Sequence, residues 1–253
     1  MNSHEATLGH RTLRRLQRLA EAVYRAPMRL LYGHSGKLRN YYWTLRTRDI
    51  DKKWRQAQGD YPTLTRIVNH IGAKRVLDFG CGCGRLFPLF ERLKVESVVG
   101  YDISGQALDE CRRKFPGPRF STISGPLGGY GYRDGYFDLI ISNYTLQHIP
   151  PNEIDQTIGT LCRLASHVYI NEMSQSNRTD RFFFMALHNY ESVFSRYDFF
   201  PTDCGLICQD RWVLFSRAPK AAPLRAAIAL ADRNHALEFS VVKPADAPVA
   251  AVL

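Results

Sequence analysis

The segment Asp78-Phe79-Gly80-Cys81-Gly82-Cys83-Gly84 constrains this chain more than any other. It takes in the end of a short strand-like run, Val76-Leu77-Asp78-Phe79, and precedes a run of helical spacing from Leu86 to Leu93. A chain that leaves a strand and enters a helix within so few residues must turn sharply. If a ligand lies against that turn, side chains block its approach, so glycine is favoured at Gly80, Gly82 and Gly84. The next apolar run, Ser97 to Tyr101, ends on Asp102, 24 residues after Asp78. A carboxylate in that place can accept both hydroxyls of a ribose. The dinucleotide-binding fingerprint uses the same frame with glycines spaced GxGxxG. Counted from Gly80, Arg85 stands where its third glycine would fall. An acid at the end of the first strand, as at Asp78, suits a ligand with a cationic portion such as an ammonium group.

From Arg75 onward, apolar runs alternate with helical spacings. Strands are expected over 97–101, 119–123, 137–142 and 168–171, and helices over 86–93, 106–115, 151–165 (capped by Asn152) and 178–196. Such alternation argues for an α/β, doubly wound, mostly parallel sheet. Two β-rich runs, 205–208 and 212–215, read as a closing antiparallel hairpin around Gln209-Asp210-Arg211. Upstream, 62–72 has the pattern of a short helix from Pro62 to Gly72. Residues 10–31 read as an amphipathic helix broken near Pro27 and ended between Gly33 and Gly36. The expected organisation is a basic helical N-terminal extension (1–59), a central domain (60–218) and a C-terminal helix (222–236) with a loose tail, making up 219–253.

The chain has 253 residues and a net charge of +10, and the charge is uneven. Residues 1–55 hold 13 Lys/Arg against 4 Asp/Glu, or +9, which leaves the rest near neutral. Such a block is either a solvated helix face or a surface for nucleic acid or an anionic membrane. No run of ~18 apolar residues is present to span a bilayer. The first 30 residues lack a signal peptide's apolar run, so a cytoplasmic chain with reduced thiols is expected. The six cysteines lack paired CxxC spacing and nearby histidines. They read as small buried hydrophobes, and no metal is expected.

Four pieces in order resemble the class I S-adenosylmethionine (SAM)-dependent methyltransferases: residues 76–84, residues 98–104, residues 137–143 with Leu146-Gln147-His148-Ile149, and the Trp212-Val213-Leu214-Phe215 strand. Together they cover roughly residues 60–218. The resemblance implies a Rossmann-like, seven-stranded sheet and SAM as cofactor. It implies that Asp78, Gly80, Gly82 and Gly84 hold the methionine part, Asp102 the ribose hydroxyls and Ile103 the adenine, with Asn143 near the reaction site. Members of the family often carry an acid after the third strand, facing the adenine amino group. Here Ser124-Gly125-Pro126-Leu127 stands instead, so Ser124 or a backbone carbonyl must serve.

Methyl transfer from a sulfonium needs alignment, exclusion of water and in some cases removal of a proton. His148 and Glu172, just past the fourth and fifth strands, are candidate bases, each with an ordinary packing or ion-pairing alternative. Tyr42 and Trp43 are candidates for a lid or for core anchors. Arg181 and Tyr190 lie where substrate specificity is often built. The leading expectation is transfer to an oxygen or nitrogen of a small molecule or glycan, with peripheral contact to an anionic membrane. The alternatives are an RNA or protein methyltransferase gripping its target through residues 11–55, not favoured because no nucleic-acid module is recognisable, and a non-catalytic SAM-binding relative.

Overall fold

The computed structural model describes residues 35–54, 57–173, 185–207 and 210–218. The expected helices over 10–31 and 222–236, and Arg181, lie outside these residues.

The order is α1 (Gly36–Trp54), α2 (Tyr61–Ile71), β1 (Arg75–Phe79), α3 (Phe87–Arg92), β2 (Ser97–Tyr101), α4 (Gly105–Lys114), β3 (Phe120–Ile123), β4 (Phe137–Asn143), α5 (Ile154–Leu164), β5 (Ala165–Glu172), α6 (Tyr190–Ser195), β6 (Phe199–Ile207) and β7 (Asp210–Arg217). Short 3-10 turns occupy Leu127–Tyr130 and Leu146–His148. The seven strands form one sheet in the order β3-β2-β1-β4-β5-β7-β6. β1 to β5 run parallel, and β7 inserts antiparallel between β5 and β6.

Each strand sends alternate side chains to opposite faces, so one strand feeds two cores. Val76, Val98, Leu139, Tyr169 and Leu214 pack with Leu64, Ile67, Phe87, Phe90 and Leu108 of α2, α3 and α4. Leu77, Val99, Ile140, Val168 and Phe215 pack on the other face with Ile158 and Leu161 of α5 and Phe194 of α6. Burial on both faces explains why β4 is apolar nearly throughout. Gly72 ends α2 in the left-handed conformation (φ 65°), and the Ser104 hydroxyl caps α4 by accepting from the Ala107 N–H at 3.2 Å.

Several expectations need correction. The helix expected over 151–165 begins at Ile154. Glu153, not Asn152, stands at its cap, because the Glu153 and Ile154 N–H groups turn back to the Pro150 carbonyl at 2.9 and 3.1 Å. Of the helix expected over 178–196, only Tyr190–Ser195 is helical among the described residues, started by the Asn189 side chain accepting from Ser192 N–H. The closing hairpin is longer than expected, and its second strand is interior; β6 forms the edge. Cys81, Cys83, Cys111 and Cys162 are buried as expected, but Cys204 lies on that edge strand and is exposed.

The largest difference is α1, where the sequence reading ended a helix rather than starting one. Its polar residues surround it, leaving no clean apolar stripe to recognise. Tertiary polar contacts hold it instead. Arg39 forks onto Glu153 (2.7 and 2.9 Å), Thr47 Oγ1 lies 3.0 Å from Ser104 Oγ, and Asp51 pairs with Lys114 at 3.0 Å. Those partners sit beyond β4 and β2, so α1 crosses the carboxyl edge of the sheet over the end of β1, which lies between them.

Candidate active site

The Gly-rich turn sits where the sequence places it, between β1 and α3. The Tyr101 carbonyl accepts from both Gly80 N–H (2.7 Å) and Cys81 N–H (2.9 Å), tying the turn to the end of β2. Gly80 has φ 84°, and a Cβ there would meet Thr145 Oγ1 at 1.9 Å. Backbone strain and a collision both require glycine. Gly84 (φ 83°) is under the same double demand, since a Cβ would meet Cys111 Sγ at 2.8 Å. Gly82, by contrast, faces open space.

Asp78 lies one residue before the end of β1, beneath this turn; it is 3% exposed, and its Oδ2 is buried with no hydrogen-bond partner. Burial pushes its carboxyl up to about 7; the Arg85 guanidinium pulls the other way, and Asp102 and Asp60 add to the rise. Asn143 Oδ1, at the end of β4, is likewise buried and unpartnered. Two neighbouring acceptors in want of a donor fit a cationic ammonium group. Asp102 lies past β2 with Oδ2 accepting from Gly82 N–H (2.9 Å) and Oδ1 from Ser104 N–H (2.8 Å). Burial raises its pKa against those bonds. The Ile103 N–H also points to this carboxylate, so three backbone donors hold it in place, and its oxygens are acceptors of the kind a ribose diol requires. Ile103 follows it, half-buried. These residues fit a ligand with an ammonium end and a ribose, which is the fit SAM demands.

A second set, which the sequence reading passed over, frames the same turn. Arg85 makes a bidentate pair with Asp60 (2.8 and 2.6 Å), and Asn143 Nδ2 donates to the same carboxylate at 2.6 Å. Asp60 is buried just before α2. This pair fixes the guanidinium beside Asp78 and orients the Asn143 amide, so that its oxygen is left over. A readable signal existed in the arginine directly after the glycines; Asp60, two residues ahead of the expected helix start at Pro62, offers none. Tyr144 adopts φ 54°, uncommon for a bulky residue, and its hydroxyl donates to Asp210 Oδ2 at 2.6 Å.

The candidate bases separate. Glu172, 3% exposed, accepts at Oε1 from Thr145 N–H (3.1 Å), Leu146 N–H (2.9 Å) and Ser142 Oγ (3.2 Å), and at Oε2 from Gln147 N–H (3.4 Å). Burial nevertheless pushes it up to about 8. It anchors the turn after β4, the turn that packs Thr145 against Gly80. His148 is half-buried at the end of that turn, its ring edge-on to Trp43 of α1 with centroids 4.7 Å apart, and its Nε2 is 3.3 Å from Gln147 Nε2. The structure therefore brings Trp43 and His148 together. Tyr42 packs edge-on against Trp43. Tyr190 opens α6, its hydroxyl buried without a partner and its pKa raised by burial and by Glu172. Ser124 is exposed just after β3.

Residues 76–167 match the family described as "Methyltransferase domain". Among curated proteins, the chain is 23% identical over 143 residues to a ubiquinone biosynthesis O-methyltransferase of Vibrio cholerae, covering 51% of this chain and 58% of that one. It is 28% identical over 133 residues to a malonyl-[acyl-carrier protein] O-methyltransferase of Chlorobium phaeovibrioides, covering 45% and 50%. The chain thus spans about half the length of these curated relatives. Among solved structures, magnesium protoporphyrin IX methyltransferase from Synechocystis with bound SAM superposes with TM-score 0.56 at 19% identity, covering 72% of this chain and 97% of that one. A TehB-like SAM-dependent methyltransferase from Corynebacterium glutamicum gives 0.53 at 17% identity, covering 69% and 99%. At these identities the structural likeness carries the fold.

Proposed function

We propose, from the match of residues 76–167 to the methyltransferase-domain family, that this chain transfers a methyl group from SAM to an oxygen of a small-molecule acceptor. The observation that carries the cofactor half is the unpartnered, buried Oδ2 of Asp78 beneath a glycine turn tied to Asp102. When bound, SAM supplies a methyl group already activated on a sulfonium. Asp78 Oδ2 and Asn143 Oδ1 accept from its ammonium, Asp102 takes the ribose hydroxyls, and Ile103 packs on the base. Gly80 and Gly82 let the backbone approach, and Gly84 closes the turn onto α4.

The chain's remaining work is alignment and proton removal. Trp43 holds the His148 imidazole from one side and helps exclude water. The Gln147 amide nitrogen is a donor only, so where it bonds to His148 Nε2 that nitrogen accepts. An acceptor hydroxyl that displaces this amide gives its proton to Nε2 as methyl transfer proceeds. Glu172 is not the base in this reading; its oxygens are taken up by the turn that carries His148. The names of the curated relatives favour oxygen over nitrogen as the acceptor atom. Tyr42 and Tyr190 border the acceptor side. The basic N-terminal segment supports peripheral contact with an anionic membrane, which vesicle binding lost on removing residues 1–32 would test.

The test of the central reading is calorimetric titration of SAM and its demethylated product, S-adenosylhomocysteine, into the wild type and Asp102→Ala. Clear binding to the wild type and at least tenfold weaker binding to the variant are expected. No binding of either ligand to folded wild type overturns it. Transfer of labelled methyl to phenols, carboxylates and glycans then identifies the acceptor.

A further inference from the structure

Where an acid is missing after β3, the structure holds a tyrosine. Tyr130 closes the 3-10 turn Leu127–Tyr130, between Gly125 and Gly131, both left-handed (φ 85° and 69°). Its hydroxyl turns back onto the backbone of Ser124. It accepts from Ser124 N–H at 3.0 Å and donates to the Ser124 carbonyl. The Tyr130 side chain is otherwise open: the residue is 41% exposed, with its ring beside Tyr132.

The position matters because of what lies next to it. Asp102 N–H reaches the Ile123 carbonyl at 3.4 Å, so Ser124 follows directly on the residue that neighbours the ribose acid. β3 is also the strand beyond β2 on the side away from β1. A base attached to a ribose held by Asp102, and packed on Ile103, would have Ser124 and Tyr130 on its β3 side. Resting on the cofactor reading above, we propose that Tyr130 reads the exocyclic amino group of the adenine in place of the missing carboxylate.

A count of hydrogen-bonding capacity carries the chemistry. A phenol hydroxyl offers one donor and two acceptor lone pairs. Ser124 uses the donor and one lone pair. One lone pair remains, and it can only accept. The 6-amino group of adenine donates there, whereas the 6-oxo group of hypoxanthine sets oxygen against oxygen. The pair with Ser124 also fixes the hydroxyl's direction before any ligand arrives, so little ordering is left for binding. Sequence spacing hid this role, because the reading group lies six residues beyond the place where an acid is sought.

The experiment is calorimetric titration of S-adenosylhomocysteine and its 6-oxo counterpart, S-inosylhomocysteine, into the wild type and Tyr130→Phe. The wild type is expected to favour the amino ligand by about 10-fold, since an unsatisfied or opposed polar group costs on the order of 1–3 kcal/mol. Tyr130→Phe is expected to lose most of that preference, chiefly by weaker binding of the amino ligand. Thermal melting verifies that the variant is folded. A variant that weakens both ligands equally, with the ratio intact, would show that Tyr130 merely braces the Ser124 loop, and overturns the proposal. An unchanged ratio with unchanged affinities overturns it too. If the wild type binds neither ligand, the failure belongs to the cofactor reading, and the assignment to Tyr130 falls with it.

Discussion

Asp78 and Glu172 occupy equivalent places in one sheet and do opposite things. Each lies at the carboxyl end of a central parallel strand, each is 3% exposed, and burial lifts each far above the ordinary carboxylate range, to about 7 and about 8. Glu172 takes four donors, three of them backbone N–H groups of the turn after β4. Asp78 leaves Oδ2 with none. The saturated carboxylate braces the turn after β4, and the unsaturated one is, in the function proposed above, the group that meets the ligand. Residue type and strand position do not separate them; hydrogen-bond accounting does. The same accounting singles out Asn143, whose amide nitrogen is spent on Asp60 while its oxygen is left over.

Glu172→Ala attacks the comparison hardest. It strands three buried N–H groups, each costing about 1–3 kcal/mol, so chemical denaturation is expected to show a loss of ~3–5 kcal/mol. A loss under about 1 kcal/mol would mean the turn does not depend on this side chain. Asp78→Asn comes next. It is expected to leave stability unchanged or raised, while weakening S-adenosylhomocysteine by roughly 10- to 100-fold, the loss of a charge-assisted bond. Weakened folding with intact binding would reverse the two roles.

The pH dependence sharpens the pairing. Both carboxyls titrate near 4 when unfolded and at about 7 and about 8 when folded. Between those values the folded chain holds protons that the unfolded chain has released. Stability is therefore full below the unfolded values and falls as pH rises through the folded ones. Thermal melts from about pH 5 to about pH 9 should decline by several degrees or more. Asp78→Asn should lessen the decline up to about pH 7 and Glu172→Gln the decline up to about pH 8; a melting temperature that rises across this window contradicts both. Ligand binding adds a linked signal: at about pH 6 an ammonium arriving at Asp78 should expel close to one proton, and at about pH 8.5 far less. Calorimetry in buffers of different ionisation enthalpy reads this directly. The smallest effect is expected from Trp43→Leu, ~0.5–1.5 kcal/mol of stability for the lost aromatic contact with His148. Its larger consequence should be a fall in kcat once an acceptor is known.

Much of the sheet was legible from local pattern. Strand β2 falls on the expected residues, and the ends of β1 and β4 are right to within a residue, because buried parallel strands between glycines leave an unbroken apolar run. The glycine turn with Asp78 and Asp102 was legible for the same local reason. The helix α1 was not, since its contacts are polar and distant: Glu153 lies 114 residues from Arg39, and Ser104 lies 57 from Thr47. Nor was the start of α6, where the Asn189 cap governs rather than periodicity.

The sequence by itself determined the alternation of strands and helices, the turn that only glycine can make, and the two acids that flank it. These depend on neighbours a few residues apart, where backbone sterics and side-chain period decide. The tertiary structure alone decided which polar groups are spent and which are left over. It placed Asp60 against Arg85 and Asn143, Glu172 under the turn that bears His148, Trp43 against that histidine, and the Tyr130 hydroxyl on Ser124. A hydrogen bond needs both partners within about 3 Å. Apart from Tyr130 and Ser124, those partners come together only when distant segments meet, so the division between scaffold and site is written in space rather than along the chain.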